Sequence, residues 1–463
     1  MMMVGTTKWR IGCLGALVAA AVVVAAALIH HYRSSPSQVD CPGKVDSSPR
    51  AGFANVALTI PKANRGGSLT GACTVALPRG WTGEVWARVP SARLEAWTPE
   101  GDLLVSDPND GRVYELVPRA IPSQPPAERI VLSGLTNPQG LAFDQLHGQE
   151  VLYVAESDEL DRYVWNGSAP GARTVVLGHL PDTGPSGADV HRVKNVAVGP
   201  NHTVYLDIGS ASNASIPPST KGLPRASVIA VQPNGAGVSV YATGVRNGDG
   251  LSFAPDGTLW TAVNERDNIA YPFHRSYDGK TDAYGQIIQA YVNEHPPDEL
   301  VRLTPGRNVG WPYCNPDPDV RPGVLGSAQQ DANPPFDRDA QTNPTGARLD
   351  CATLSPIQRG LPAHSAPLGF HFLEGSRLPS PWNGGAVVAV HGSWDRDPPQ
   401  PPAVLWLPWE ASTRTLGAPI TLVGGFQEPN GTRWGRPVDA VAGPDGALYV
   451  SDDTAGAIYR IAP

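Results

Sequence analysis

The sequence lacks a surplus of positive charge. It carries 35 lysines and arginines against 43 aspartates and glutamates, and only 17% of its 463 residues are charged. A protein whose main partner is nucleic acid presents a basic surface to the phosphates. The net charge of −8 therefore argues against nucleic acid as the main partner.

Strong helix-forming stretches are also scarce, because the chain contains 48 prolines and 50 glycines. Proline breaks helix interiors but fits turns and strand ends. The same composition could indicate low-complexity disorder, but 41% hydrophobic residues and 12 tryptophans provide a core. We expect an all-β protein with little helix beyond its N-terminal segment.

Cysteines are few, and none occurs in the C-x-x-C spacing that is typical of zinc sites. Of the five, Cys13 lies in the apolar N-terminal segment, which leaves Cys41, Cys73, Cys314 and Cys351. An even number in an oxidising compartment suggests two disulfides. Three pairings are open, and proximity along the chain favours Cys41–Cys73 and Cys314–Cys351.

The N-terminal segment has no charge from Ile11 to Ile29 and follows Lys8 and Arg10. It is long enough to span a bilayer, and no small-x-small cleavage site follows it. We interpret residues 1–10 as a short cytoplasmic N-terminus and 11–30 as a transmembrane signal anchor, with a cleaved signal peptide as the close alternative. Either interpretation predicts an extracytoplasmic body, in the periplasm or at the cell surface.

A weak repeat organises the rest of the chain. Residues 31–78 are rich in Ser, Pro and Gly and are interpreted as a linker and N-terminal extension, and the periodic part covers 79–463. Each unit contains an apolar strand, a tight turn, a second strand and a polar loop. Four of the turns lie about fifty residues apart, at Pro99, Leu146, Pro200 and Pro255.

Repeats of this period are typical of β-propeller blades, because each sheet can bury its faces only against its neighbours. The periodic part has room for about six to seven blades. We expect residues 309–429 to hold one long blade with Pro-rich insertions. We also expect the last strand, 457–461, to pair with 84–88 and close the ring.

Polar side chains precede the inner strands of three repeats. They are His191 in GADVHRVKNVAVGP, the pair Arg246–Asn247 in YATGVRNGDG, and Gln139 in NPQGLAF. Side chains at one phase of several repeats should converge on a central pocket. A histidine there suits a general base, although by spacing alone a surface histidine is about equally consistent.

Acidic residues concentrate in one repeat and the loop that follows it. Glu265, Asp267, Asp298 and Glu299 offer the hard oxygen ligands that calcium prefers, although a solvated acidic loop is about as consistent with the sequence. No EF-hand loop is present.

Two other polar segments stand out. Arg436 precedes another inner strand and could meet an anionic ligand through bidentate contacts. The loop AVHGSWDRDPP groups His391, Trp394 and Arg396, for which the sequence assigns no role, and His364 is interpreted as structural.

In their order and spacing these motifs resemble the glucose/sorbosone dehydrogenase family of soluble quinoprotein sugar dehydrogenases, and most closely its sorbosone dehydrogenase-like branch. The segments that carry the resemblance are HRVKNVAVGP, YATGVRNGDGLSFAPDGTLW, PPDELVRLTPGRNVGWPYC, LPAHSAPLGFHF with AVHGSWDR, and GRPVDAVAGPDGALYVSDD. The resemblance implies a six-bladed β-propeller with pyrroloquinoline quinone in the central channel and Ca²⁺ bridging it to the protein.

The resemblance also implies catalytic and cofactor-binding roles. His191 would be the base that removes a proton from a sugar hydroxyl while hydride passes to the quinone. Arg246 would stabilise charge on a quinone oxygen. The implied cofactor-binding residues are Gln139, Asn247, Arg436 and Arg396.

Two metal sites are implied in the same way. The loop of Glu265, Arg266 and Asp267 would offer carbonyl oxygens to the cofactor calcium. Asp298 and Glu299 would bind a second, structural calcium.

The expected function is oxidation of an aldose sugar or a related aldehyde such as sorbosone, with transfer of electrons to an external acceptor. A homodimer is one option for its assembly. A non-catalytic extracytoplasmic propeller that binds a glycan or a protein is the alternative. A calcium-dependent lactone hydrolase is a weaker one, because the arginine-rich group argues against it.

Overall fold

Strands dominate the computed structural model, which describes residue 41 and residues 49–182, 191–192, 194–214, 222–330 and 333–463. Within these ranges the helices are one short α-helix, α1 (Gln289–Val292), and two 3₁₀ helices (Lys62–Asn64 and Cys351–Thr353). The prediction of an all-β protein is confirmed for the described part of the chain.

Six sheets, each with four antiparallel strands, form the blades of a propeller, and the sheet of blade 3 gains a fifth, parallel strand. Before them come β1 (Phe53–Ala57), β2 (Thr74–Pro78) and β3 (Thr82–Ala87). Blade 1 contains β4 (Glu95–Trp97), β5 (Leu103–Asp107), β6 (Arg112–Val117) and β7 (Ala127–Ser133), and blade 2 contains β8 (Leu141–Leu146), β9 (Gln149–Ala155), β10 (Leu160–Trp165) and β11 (Pro170–Leu177). Blade 3 contains β12 (Val196–Val198), β13 (Val204–Ile208), β14 (Ser227–Val231) and β15 (Ser239–Thr243), and blade 4 contains β16 (Gly250–Phe253), β17 (Leu259–Val263), β18 (Asp298–Leu303) and β22 (Arg359–Leu361). Blade 5 contains β23 (Pro367–Phe372), β24 (Ala386–Val390), β25 (Ala403–Leu407) and β28 (Ile420–Val423), and blade 6 contains β29 (Pro437–Ala442), β30 (Leu448–Asp452), β31 (Ala457–Ala462) and β3.

The inner strands β4, β8, β12, β16, β23 and β29 contact one another in a closed cycle. Each blade packs its apolar faces against its neighbours, as Trp260 of β17 does in one core with Phe370 of β23 and Val388 of β24. This mutual burial is why the blades form a ring. The predicted six-bladed β-propeller is confirmed.

The two ends of the propeller close the ring in blade 6. Strand β3 pairs antiparallel with β31, with Glu84 opposite Arg460 and Val85 opposite Tyr459. The predicted closure is therefore confirmed, and it removes the open sheet edges that would otherwise be exposed.

The N-terminal extension packs on the propeller through the hairpin of β1 and β2. Val75 and Leu77 share a buried core with Leu422 of blade 5 and Tyr459 of blade 6. The disulfides Cys41–Cys73 and Cys314–Cys351 are both present, so the favoured pairing is confirmed.

Blade 4 carries two long insertions. The first insertion, residues 264–297, joins β17 to β18 and contains α1. The second insertion, residues 309–358, lies between β18 and β22 and contains the hairpin of β20 (Cys314–Pro316) and β21 (Phe336–Arg338). Just before this insertion, β19 (Arg307–Asn308) pairs parallel with β15 of blade 3.

The expectation of one long blade over 309–429 is therefore wrong. Strand β22 returns to pair with β18, so the first part of this span belongs to blade 4. Blade 5 occupies the rest, with a small hairpin of β26 (Trp409–Glu410) and β27 (Thr415–Leu416).

In the described part of the chain no helix is long and apolar enough to cross a membrane. The predicted anchor, residues 11–30, lies outside the described residues.

Candidate functional site

The inner strands all begin on one face of the ring, which we call the entry face. Residues that precede these strands therefore lie close to the ring axis. Gln139 precedes β8 and Asn247 precedes β16, and both donate to Asp249. Gln139 Nε2 lies 3.3 Å from Asp249 Oδ1, and Asn247 Nδ2 lies 3.2 Å from Asp249 Oδ2. The structure thus brings together two predicted residues from blades 2 and 4.

His191 has a defined ring orientation. Its Nδ1 lies 2.9 Å from Ser210 Oγ and 3.1 Å from the Ser210 carbonyl oxygen. A carbonyl oxygen can only accept, and the Ser210 hydroxyl donates its own hydrogen to the Ser212 carbonyl at 2.7 Å. Nδ1 therefore carries the hydrogen, and the basic lone pair is at Nε2.

The charge state of His191 follows from its surroundings. Burial, together with the positive charge of Arg246, holds the pKa of His191 well below its usual range. The imidazole is consequently neutral at pH 7. A neutral, oriented imidazole can accept a proton from a bound hydroxyl.

His191 and Asn247 approach each other across Gly209. A β-carbon at position 209 would lie 2.7 Å from His191 Cβ and 2.8 Å from Asn247 Oδ1. Because real β-carbons do not come so close to other atoms, this approach requires glycine.

Arg246 is buried and held by several acceptors. Its Nη1 donates to the Asn264 carbonyl at 2.9 Å, and its Nη2 donates to Asn213 Oδ1 at 2.9 Å. Nη2 also pairs with Asp267 Oδ2 at 3.0 Å. These contacts hold a positive charge near His191.

A second group of charges joins blades 1, 2, 5 and 6. Arg93 Nη2 donates to Gln139 Oε1 at 3.2 Å, and Arg93 Nη1 pairs with Asp453 Oδ2 at 3.1 Å. Asp453 Oδ1 accepts from His391 Nε2 at 2.9 Å, and Arg436 Nε donates to the His391 carbonyl at 2.8 Å. Although burial alone would raise the pKa of Asp453, the three basic neighbours hold it well below its usual range.

Sequence reasoning missed Arg93, Asp249 and Asp453. Gln139 lies two residues before its inner strand, and Arg93 lies at the same distance before β4. That shared position is a signal that could have found Arg93. Asp249 directly precedes β16, but its contact with Gln139 joins two blades, and Asp453 contacts Arg93 of another blade.

Asp298 binds the backbone of two loops. Its Oδ1 accepts the Glu265 N–H at 2.8 Å, and its Oδ2 accepts the Ala366 N–H at 2.8 Å. Burial raises the pKa of Asp298 to about 7 and that of Glu265 to about 7. Burial therefore makes ionisation of both carboxyl groups harder than in water.

Glu299 follows Asp298 directly in β18, and consecutive strand residues point to opposite faces of a sheet. Neither oxygen of Glu299 has a hydrogen-bond partner among the described residues, and burial raises its pKa well above the usual range. Glu265 and Asp298 lie close enough for their negative charges to add to this rise, and binding of a structural calcium by Asp298 and Glu299 stays a prediction.

Arg266 forms a buried ion pair with Asp339 and donates to Gln341. These contacts tie the first insertion of blade 4 to the second. Its side chain thus faces the second insertion of blade 4.

Asp267 belongs to a group that could hold a metal ion, with His364 and Asp395. His364 Nε2 donates to the Val292 carbonyl at 2.7 Å, so in the neutral ring Nδ1 carries the lone pair. Nδ1 lies 3.4 Å from Asp395 Oδ1 and 3.9 Å from Asp267 Oδ1. His364, interpreted from the sequence as structural, therefore sits beside the carboxylate that pairs with Arg246.

Arg396 takes a different place from the other predicted cofactor-binding residues. Its Nη1 donates to the Ala363 carbonyl at 3.4 Å. Among the described residues, the hydrogen bonds do not connect it with Gln139, Asn247 or Arg436.

A cavity of about 610 Å³ is lined by residues from the inner strands of blades 1, 2, 5 and 6. Its lining runs from Glu95 and Leu141, the first residues of β4 and β8, to Phe372 and Val441, near the ends of β23 and β29. None of the predicted site residues lines it.

Comparison with known proteins agrees with this architecture. A model of the TrAA12-like family matches residues 75–463. The chain is 26% identical over 288 residues to a pyrroloquinoline quinone-dependent pyranose dehydrogenase of Coprinopsis cinerea, a match that covers 55% of this chain and 37% of that protein. The chain thus spans well under half the length of this curated relative.

Two solved structures share the fold. One is the holo form of the pyranose dehydrogenase PQQ domain from Coprinopsis cinerea, with a TM-score of 0.65, 20% identity, and coverage of 92% of this chain and 100% of that one. The other is the calcium structure of the Trichoderma reesei family AA12 enzyme, with a TM-score of 0.66, 17% identity, and coverage of 83% and 96%. The resemblance to quinoprotein sugar dehydrogenases is confirmed.

Proposed function

The chain belongs to the TrAA12-like family, and from that premise we propose that it is a pyrroloquinoline quinone-dependent dehydrogenase that oxidises an aldose sugar or a related aldehyde such as sorbosone. The observation that carries the proposal is the neutral, oriented imidazole of His191 beside Arg246 on the entry face. The pyranose dehydrogenase of Coprinopsis cinerea supports the class of reaction.

The residues around the axis fit a flat quinone that bears carboxylates. Asn247 Oδ1 is buried and has no hydrogen-bond partner among the described residues. Arg436 is half-buried, and its hydrogen bonds go to the carbonyl oxygens of His391 and Gly392. Guanidinium and amide groups of this kind bind carboxylates and carbonyl oxygens. Gln139, Asn247, Arg246 and Arg436 would hold the cofactor, which when bound accepts a hydride from the substrate carbon.

The chain's own chemistry is proton removal and charge stabilisation. His191 Nε2 accepts the proton of the sugar hydroxyl, while Ser210 holds Nδ1 in place. Burial and Arg246 keep His191 neutral before the reaction. Arg246 also offers positive charge to the negative charge that develops beside it. Because hydrogen-bond acceptors hold the Arg246 guanidinium in place, this side chain needs little reorganisation during the reaction.

A calcium ion is proposed at the carboxylates of Asp267 and Asp395, with carbonyl oxygens of the loop from Glu265 to Asp267. Calcium prefers six to eight oxygen ligands, so the carboxylates and carbonyl oxygens would hold the ion, and His364 is not assigned as a ligand. The calcium structure of the Trichoderma reesei enzyme supports this part of the proposal.

The body of the protein is proposed to lie outside the cytoplasm, anchored by residues 11–30. Two disulfides support an oxidising compartment. Electrons would then leave to an acceptor in that compartment.

The proposal is tested by titrating the purified full chain with the quinone, with and without Ca²⁺, and following its absorbance and dye-linked oxidation of aldoses. We expect an absorbance shift and dye reduction only when both are added. His191→Ala should keep the absorbance shift and lose dye reduction. A folded chain that gives no shift would overturn the proposal, and glycan binding by that chain without oxidation would favour a non-catalytic propeller.

A further inference from the structure

A separate group of metal-ligating side chains lies between the two insertions of blade 4. His295 follows α1 in the first insertion, and Asp317 and Asp319 follow β20 in the second. All three are buried. One donor atom from each lies within 4.8 Å of the others. His295 Nε2 is 3.4 Å from Asp317 Oδ1 and 3.5 Å from Asp319 Oδ1.

The ring of His295 is oriented as metal-binding imidazoles are. Nδ1 lies 3.1 Å from the Tyr291 carbonyl oxygen, which can only accept, so Nδ1 carries a hydrogen. The ring also stacks on Tyr291 with centroids 3.9 Å apart. A ligating histidine commonly donates its other N–H to a backbone carbonyl in this way.

The nitrogen that faces the carboxylates has no hydrogen-bond partner in the described part of the chain. His295 is 2% exposed, and Nε2 is among the buried atoms without a partner. The lone pair of a neutral imidazole and two carboxylate oxygens would repel one another. A cation between them removes that repulsion.

Backbone donors orient both carboxylates. The Asp319 N–H donates to Asp317 Oδ1 at 2.9 Å, and the Gly323 N–H donates to Asp319 Oδ2 at 2.9 Å. Asp319 Oδ1 is thereby turned toward His295. Two of the three ligands are therefore positioned before any ion binds.

We propose that His295, Asp317 and Asp319 bind a divalent first-row transition cation, Zn²⁺ or Mn²⁺, at a site separate from the cofactor. Two carboxylates and a neutral imidazole balance the two charges of such an ion. A nitrogen ligand disfavours calcium, which takes oxygen ligands, whereas zinc accepts both nitrogen and oxygen. The ion would fasten the first insertion, which presents Asp267 to Arg246, to the second.

The third group of this kind among the described residues, Glu156, Glu159 and Asp161, provides a contrast. Arg173 pairs with both Glu159 and Asp161 and supplies the positive charge itself. Around His295, in the absence of a metal ion, the positive charge would come from the protonated imidazole itself, held by the two carboxylates. Burial alone would lower the pKa of His295, but these carboxylates raise it to about 9.

The experiment is a metal analysis of the full chain without added quinone. The protein is stripped with a chelator and dialysed against Zn²⁺ and, separately, Mn²⁺, and its metal content and Tm are measured. We expect about one equivalent of one of these ions per chain and a rise in Tm of a few degrees. Asp319→Asn and His295→Gln should lose both effects. Glu159→Gln and Asp267→Asn are the matched controls and should keep them.

Metal bound equally by wild type and Asp319→Asn, or lost in Asp267→Asn instead, would overturn the proposal. A folded wild type that binds neither ion would also overturn it and would indicate the imidazolium arrangement. If the variants do not fold, the wild type loaded with Co²⁺ decides the matter. Visible absorption of a nitrogen- and oxygen-ligated Co²⁺ that is also present in Asp267→Asn supports the site, and its absence contradicts it. None of these results depends on quinone binding, so the proposal and the proposed function fail separately.

Discussion

Ser210 accepts the Nδ1 hydrogen of His191 through both its hydroxyl oxygen, at 2.9 Å, and its carbonyl oxygen, at 3.1 Å. The carbonyl defines the tautomer, because it cannot donate. The hydroxyl adds a second restraint on the plane of the ring. Together they direct the basic nitrogen of His191, and the first predictions concern this pair and its charged neighbour.

Ser210→Ala removes the hydroxyl and keeps the carbonyl. We expect kcat to fall roughly tenfold with KM nearly unchanged, because the tautomer persists while the ring is less well oriented. Steady-state kinetics of the quinone-loaded enzyme checks this. Ser210→Thr keeps a hydroxyl and should recover most of the activity; equal losses in both variants would contradict an orienting role.

His191→Asn removes the base but leaves a polar side chain of smaller size. The loss of general-base catalysis should lower kcat by a factor of about 10² to 10⁴. The quinone absorbance shift should be kept, because Gln139, Asn247 and Arg436 are unchanged. Single-turnover reduction of the bound quinone separates the two effects, and activity within a few-fold of wild type would exclude His191 as the base.

Arg246 should shape the pH dependence of kcat/KM. Since the pKa of His191 lies well below its usual range, activity should be retained down through pH 6.5 and lost only at more acidic pH. Arg246→Gln removes a positive neighbour, which makes protonation of His191 easier and should move the acidic limb to higher pH. A limb that stays in place in this variant would show that Arg246 does not control the base.

His391 should make the fold less stable in acid. Burial and Arg436 lower the pKa of His391 to about 4, whereas in the unfolded chain it is about 6.5. Between these values the unfolded chain binds more protons, so the free energy of unfolding falls as pH drops from 6.5 to 4, by roughly 3 kcal/mol.

Urea unfolding at pH 7, 5 and 4 measures this dependence. His391→Gln keeps an N–H that can donate to Asp453 but does not titrate in this range. The variant should therefore show a smaller loss of stability in acid than wild type, and an identical pH dependence would refute the assignment.

The disulfide Cys314–Cys351 closes a loop with a sequence separation of 37 residues. Replacing both cysteines by serine frees the unfolded chain and should lower the free energy of unfolding by about 4 kcal/mol. Guanidinium unfolding of the double variant checks this, with enzyme activity as a control for the native fold. Unchanged stability would mean that the second insertion unfolds independently of the propeller.

Much of the fold could be predicted because each blade is a local unit. A strand, turn and strand lie close together in the chain, so alternation of apolar residues and turn chemistry are visible in the sequence. The closure of β3 on β31 follows from the same logic, since an open ring would leave two sheet edges. The insertions of blade 4 could not be placed in this way, because β22 returns to β18 only after a long irregular segment.

The candidate site likewise has one part that the sequence predicts and another that it does not. By itself the sequence determined that Gln139, His191, Arg246 and Asn247 stand ahead of inner strands, because that position depends only on the repeat. Only the tertiary structure decided that Arg93 pairs with Asp453. It also decided that Asp298 accepts hydrogen bonds from backbone N–H groups, whereas Asp267 lies beside His364. Those contacts join side chains from different blades and loops, and their partners are chosen by closure of the ring and packing of the insertions.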